Sequence, residues 1–428
     1  MIGVAIGLGN FWRFPYLVGK FGGAAFVLFY LVLVLVIGVP GLMAEWTLGR
    51  HTGRGTVGAF ERAGLPGGRF VGWFMFFMMM AAAAYYTNAV GWVLAFAASN
   101  LLRAFGLAGF DASRALPPAS GLVPRAFLTQ ITCTLLVIGC CVAVLLRGLR
   151  DGIEKASRLL IPALFLILLV LIARGLMMPG AAAGVHWYLL KFKPSDLTPS
   201  VMVAALGQLV FSIGLGGTFM ITYGSYLSRE ENLGRSAVLT AAADTAAGVL
   251  AGLAIFPAVF ALGLEPGSGP GLIFETLPRV FDAMPAGHLF ATLFFVGLFS
   301  VAFLSDIAAM EVMIAGLTDN TRFSRRNATL LIAVLVLALA IPSMLNMRVF
   351  IPWDLTFGSG MQTLGALFAV LTVGWAMNRA AVLEEMGRHG DPAPRWLILW
   401  IRFVVPGCIL TVGVTWLLTD VLGRLRGV

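Results

Sequence analysis

Ile6-Gly7-Leu8-Gly9-Asn10 returns, more than two hundred residues later, as Ile213-Gly214-Leu215-Gly216-Gly217. Each copy interrupts a long apolar stretch, and each is followed by an aromatic residue, Phe11 and Phe219. Glycine costs about 1 kcal/mol per helix-interior position relative to alanine. In lipid, every backbone group that a break releases must find a partner inside the protein. A segment meant only to cross a bilayer gains nothing from such an interruption. Taken singly, either copy reads equally well as a hinge or as close-packing glycines. As a matched pair in two halves of the chain, they point to a mid-membrane binding site framed by discontinuous helices.

The composition around the breaks fits that setting. Of 428 residues, 59% are hydrophobic and only 11% charged, with a mean hydropathy of +0.93; soluble domains carry about 25% charged residues. Apolar runs able to cross a roughly 30 Å hydrocarbon core recur throughout, and eleven spans are predicted: about 1–20, 24–49, 70–102, 127–146, 157–178, 200–225, 236–263, 287–318, 328–346, 356–377 and 396–422. The connectors leave no room for a soluble domain, so 1–428 reads as one membrane unit. The net charge of +9 reads as topology rather than nucleic-acid binding. With the 50–69 loop in the cytoplasm, about sixteen Lys and Arg fall on that side, among them Arg147, Arg150, Lys155, Arg158, Arg322, Arg325 and Arg326, against about twelve outside.

The four cysteines (Cys133, Cys140, Cys141, Cys408) lie within spans at spacings that suit no zinc site. The four histidines are scattered at span ends and connectors. No nucleophile motif, phosphate loop or dinucleotide fingerprint is present, so no enzymatic activity is expected. The first span reaches its break almost at once. A complete discontinuous helix would place roughly fifteen more residues ahead of it, so either the chain is truncated or the inner half-helix is missing.

Unwound carbonyls suit a hard cation, and half-helix N-termini suit a carboxylate. Asn10 and Ser212, the latter beside Phe211, supply side-chain oxygens at the breaks. Asp244 sits in an otherwise uncharged span, where a carboxylate is costly and marks a functional site by default. Asp306, Glu311 and Glu45 are further intramembrane acids, and Glu45 reads equally as a structural cap or a site support. Tyr85-Tyr86 places two phenols deep in the third span, either for hydrogen bonding or for packing. Arg13 and Asp354, near the outer ends of spans one and ten, read by themselves as solvated charges.

Together these residues resemble the neurotransmitter:sodium symporter family in its bacterial amino-acid branch. Gly7-Leu8-Gly9-Asn10-Phe11-Trp12-Arg13-Phe14-Pro15-Tyr16 is similar to the family's first-helix signature. Gly22-Gly23-Ala24-Ala25-Phe26, Glu45-Trp46-Thr47-Leu48-Gly49-Arg50, the run Arg147 to Lys155, Gly207-Gln208 with Phe211-Ser212, and Thr222-Tyr223-Gly224-Ser225-Tyr226 follow in the family's order. The resemblance implies an all-α leucine-transporter-like fold of two inverted five-helix repeats, about 1–178 and 200–377, with an additional helix at about 396–422. It also implies sodium-driven alternating access in the inner (plasma) membrane, with a homodimer compatible with the family.

By position, the resemblance puts a first sodium site at the Ala5 carbonyl, Asn10, Ser212 and Asp244. A second site falls at the carbonyls of Gly3, Ile6 and Val301 with the Ser305 hydroxyl. Substrate would meet Ala5, Gly7, Leu8, Gly9, Tyr86, Phe211, Ser212 and Ser305. Arg13 and Asp354, with Gln208 nearby, become an outer gate; Asp319 and Tyr226 belong to an inner one whose arginine has no counterpart in this sequence. Monoamine members carry an aspartate at the position of Gly7, so glycine implies a substrate that brings its own carboxylate, an amino acid. Ala82, Gly214, Gly217 and Ala309 imply a roomy apolar pocket and a large hydrophobic or aromatic side chain. Leu304 departs from the family's oxygen-bearing ligand at the second sodium site, with Asp306 as a neighbouring acid. Asp244 stands where asparagine is usual, and its charge would substitute for the chloride that animal relatives need, although Tyr30 and Gln208 match chloride-site positions. A membrane amino-acid binder or sensor that does not transport is the competing reading.

Overall fold

The computed structural model describes residues 2–216, 218–267, 271–387, 393–416 and 418, and among them every regular element is helical. In chain order the helices used below are α1 (Ile2–Ala5), α2 (Phe14–Phe21), α3 (Ala24–Thr52), α4 (Gly68–Ala104), α5 (Pro124–Leu145), α6 (Gly152–Leu176), α7 (Pro199–Ser212), α8 (Phe219–Gly224), α9 (Leu233–Ala261), α10 (Gly287–Asn320), α11 (Arg325–Leu345), α12 (Met347–Ala376), α13 (Arg379–Met386) and α14 (Arg395–Thr415).

Nine of these, α3 to α6, α9 to α12 and α14, are long and apolar enough to cross a membrane, since about 20 residues at 1.5 Å each cover the hydrocarbon core. The other two expected spans, 1–20 and 200–225, are the ones that carry the paired glycines. Neither is continuous. The first runs from α1 across Ile6-Gly7 into a π-turn at Gly9–Arg13 and then α2. The second stops at Ser212 and resumes at Phe219. The expected tenth span starts earlier than predicted, at Met347, and the fifth begins at Gly152. The end of the expected 396–422 span lies outside the described residues.

The bundle is layered by burial. In α10, 78% of the most apolar window is buried inside the protein, and α4 packs along it; in α6 the figure is 28%. Lipid can solvate a leucine as well as a neighbouring helix can, so α5, α6 and α14 expose apolar faces while α4 and α10 form the interior. Both broken helices touch this interior. The α1 turn contacts α9 and α10, and α8 lies against α3 and α10. The breaks are therefore enclosed by protein at membrane depth, the one place where irregular backbone is tolerated.

Candidate functional site

Several of the backbone groups released at the first break have partners. The Asn10 Oδ1 accepts from the Gly7 amide at 2.8 Å, and the Gly7 carbonyl accepts from the Asn10 amide at 3.1 Å. The Leu8 amide points at the Tyr86 hydroxyl of α4 at 3.4 Å. Gln208 Nε2 of α7 donates to the Gly9 carbonyl at 2.9 Å, and the Ser305 hydroxyl of α10 donates to the Ile6 carbonyl at 3.1 Å. At the second break Gly214 adopts φ +70°, left-handed backbone that favours glycine. Beyond it, the Gly216 amide donates to Glu45 Oε1 of α3 at 3.0 Å. Glu45 thus supports the unwound stretch directly.

The two breaks meet at Asp244 of α9. Asn10 Nδ2 reaches Asp244 Oδ1 at 2.7 Å, the Asp244 carbonyl at 2.9 Å and Ser212 Oγ at 3.0 Å. The Ser212 hydroxyl lies 3.1 and 3.0 Å from the two carboxylate oxygens, and the Tyr30 hydroxyl donates to Oδ2 at 3.3 Å. Asn10, Ser212 and Asp244 are all buried. Among the described residues no Lys, Arg or His forms an ion pair with this carboxylate. A buried carboxyl group beside hydroxyl, side-chain amide and carbonyl oxygens is a ligand set suited to a hard cation, which takes oxygen ligands.

A cavity of about 70 Å3 opens beside this cluster, between the two breaks. Every residue expected to hold substrate lines it except Gly217, which lies outside the described residues. Gly7 is there because of close approach: a Cβ on it would fall 2.6 Å from Ser305 Oγ and 3.4 Å from the Tyr86 hydroxyl. The sequence reading missed Met79, Ala83, Tyr85, Phe219 and Gln362 on the cavity wall. Met79 and Ala83 were within reach of helical periodicity, because they share a face with Ala82 and Tyr86. Gln362 had a signal of its own, an amide inside an apolar span.

The expected second ion site is partly assembled. Ser305 and Ile6 are in contact, and Val301 is buried on the same helix as Ser305. Gly3 sits against Ser157 of α6. Leu304 is buried and offers no oxygen. Asp306 does not fill in for it, because its carboxylate takes the Thr87 hydroxyl at 2.8 Å and the Cys141 thiol at 3.6 Å. Adjacent helical positions point about 100° apart, so Asp306 faces α4 and α5 while Ser305 faces the break.

The residues expected at the two gates have these partners in the structure. Arg13 and Asp354 form no ion pair within 4 Å. The Arg13 guanidinium lies 4.4 Å over the Phe211 ring, capping the cavity wall by cation–π contact. Asp354 Oδ1 instead shares with the Tyr85 hydroxyl the space beside Gly358. On the inner side, Tyr226 donates to Glu311 at 3.1 Å, and Glu311 pairs with Arg325 at 2.6 Å. Asp319 accepts from the Gly55 amide at 3.2 Å, and its carbonyl accepts from Arg54 at 2.7 Å.

Comparison with known proteins decides the family. The profile of the sodium:neurotransmitter symporter family matches residues 1–107 and 125–420. The chain belongs to this family. Relatives include an uncharacterised sodium-dependent transporter of Bacillus subtilis, 31% identical over 96% of this chain and 93% of that one, and another of Haemophilus influenzae, 31% identical over 96% and 94%. The bovine sodium-dependent dopamine transporter is 26% identical over 96% of this chain and 66% of its own. Among solved structures, MhsT in complex with L-phenylalanine superposes with a TM-score of 0.83 at 31% identity, covering 97% of this chain and 96% of that one. The chain is accordingly a multi-pass membrane protein of a sodium-symport family, a family of transporters rather than enzymes.

Proposed function

We propose that this family member imports an amino acid with a large hydrophobic or aromatic side chain, coupled to sodium, by alternating access. The observation that carries the reading is the meeting of both helix breaks at one cavity. The Asn10–Ser212–Asp244 cluster adjoins it through Ser212, and apolar side chains of α4, α8 and α10 line it. A substrate carboxylate would lie against the Leu8 and Gly9 amides, completing a sodium site with the Ala5 carbonyl, Asn10, Ser212 and Asp244. A second sodium would use the carbonyls of Gly3, Ile6 and Val301 and the Ser305 hydroxyl. The likeness to a relative bound to L-phenylalanine supports an amino-acid substrate, and the absence of a side-chain acid at Gly7 suits a ligand that brings its own carboxylate. In this reading the chain is built of two inverted five-helix repeats, and it works in the inner membrane, alone or as a homodimer.

Asp244 replaces chloride: its fixed charge lies within reach of Tyr30 and Ser212, and Gln208 is turned to Gly9. Arg13 over Phe211, with Asp354 beside Tyr85 of the cavity wall, would close the outer side. Tyr226 and Asp319 would close the inner side. Purified protein in liposomes should accumulate labelled amino acid only under an inward sodium gradient. Binding without accumulation would instead favour a sensor, a reading that the oxygen-free Leu304 supports.

A further inference from the structure

Gln362 is a polar group of the cavity that neither the ion cluster nor the carboxylate end uses. Gln362 of α12 lines the wall, and its Cα, Cβ and Cγ rest against Gly216 of the second break. That stretch is pinned in turn by Glu45. The stem of the side chain is thereby seated, while its oxygen is left over: Gln362 Oε1 is buried and accepts no hydrogen bond among the described residues. The wall it shares with Met79, Ala82, Ala83, Phe219 and Ala309 is largely apolar, and the hydroxyls that also line the cavity, Tyr85, Tyr86, Ser212 and Ser305, make no hydrogen bond to it. An unpaired buried acceptor is expensive, and a leucine or methionine would fill the same space without that cost. A group of this kind earns its place when a ligand pairs with it.

Building on the amino-acid reading above, we propose that Gln362 sets side-chain specificity. Its carbonyl oxygen accepts a hydrogen bond from a donor at the tip of an aromatic side chain, the phenol of tyrosine or the indole N–H of tryptophan. The apolar wall takes the ring and the carboxamide reads its polar edge. Phenylalanine and leucine fill the wall but leave Oε1 unpaired. Loss of one such bond to a buried acceptor corresponds to about tenfold or more in affinity.

The test is sodium-dependent binding and uptake by the purified full chain in liposomes, with matched pairs that differ by one donor: tyrosine against phenylalanine, and tryptophan against 1-methyltryptophan. The wild type should favour the first of each pair by about tenfold or more. Gln362→Leu and Gln362→Met should each erase both preferences, bringing tyrosine and tryptophan down to the level of their donor-free partners. The role of Gln362 is overturned if the wild type takes phenylalanine as tightly as tyrosine. It is also overturned if both variants weaken all four ligands by one factor. Should the variants fail to fold, the wild-type ranking decides alone. Absence of sodium-dependent binding of any amino acid would sink the transport reading itself, an outcome distinct from sodium-driven uptake without discrimination.

Discussion

At the scale of single residues, the site depends on side chains that are missing as much as on those present. Gly7 lets Ser305 and Tyr86 close up against the break, and a Cβ there would meet the Ser305 hydroxyl at 2.6 Å. Gly7→Ala should therefore displace Ser305 or the break, at about 1–3 kcal/mol of strain. Scintillation proximity binding should register a clear loss of sodium-dependent affinity with folding retained. Glu45 works through the backbone. Glu45→Ala orphans the Gly216 amide at membrane depth and should cost about 1–3 kcal/mol, read as a lower melting temperature in detergent; Glu45→Gln, which keeps an acceptor, should lose less. Much of this was legible in the sequence, because an acid or a doubled glycine inside an apolar span is conspicuous. Its partners were not. Nothing in the spacing of Asp306 says that it turns to Thr87 and Cys141, and nothing in Arg13 says that it lies over Phe211. Such pairings are set by how distant helices pack.

At the scale of elements, the sequence exposes breaks more clearly than boundaries. The glycine pairs mark where α1 and α7 stop, and hydropathy marks the nine continuous spans, but hydropathy cannot separate a crossing helix from a broken one of equal length. Gly214 tests the second break. Its backbone stands at φ +70°, and a Cβ at that position would lie 3.2 Å from the Met220 methyl. Gly214→Ala should cost about 1–2 kcal/mol and lower substrate affinity without changing helix content by circular dichroism. A second element was invisible in the sequence. The short helix α13 returns to α3, where Arg50 pairs with Glu385 at 2.8 Å, and the same guanidinium reaches the Glu231 carbonyl at 2.8 Å in the connector after α8. Both side chains of the pair are nearly buried. Removing one partner strands the other, so Arg50→Ala should destabilise the fold by about 3 kcal/mol, with Arg50→Lys recovering only part because it cannot make the forked contacts. Thermal unfolding in detergent gives the comparison.

At the scale of the whole molecule, the bundle encloses the Asp244 carboxyl group at its centre and, among the described residues, meets it with neutral hydrogen-bonding groups. Uptake by the wild type should be unchanged when chloride is replaced by gluconate, whereas Asp244→Asn should weaken sodium activation by about tenfold or more; strict chloride dependence of the wild type would refute the role given to Asp244. The capping of Gly7 by Asn10 has a further consequence. One oxygen is asked to serve two masters, since the Asn10 Oδ1 that closes the first break is the atom a sodium ion would claim. An ion drawing on the same oxygen would weaken its bond to the Gly7 amide, beside the Leu8 and Gly9 amides proposed for the incoming carboxylate. Ion loading would then create part of the substrate's own binding surface, making the order of addition sodium first. By thermodynamic reciprocity the substrate must tighten sodium by the same factor, and titrating each against the other by calorimetry should return one shared coupling constant.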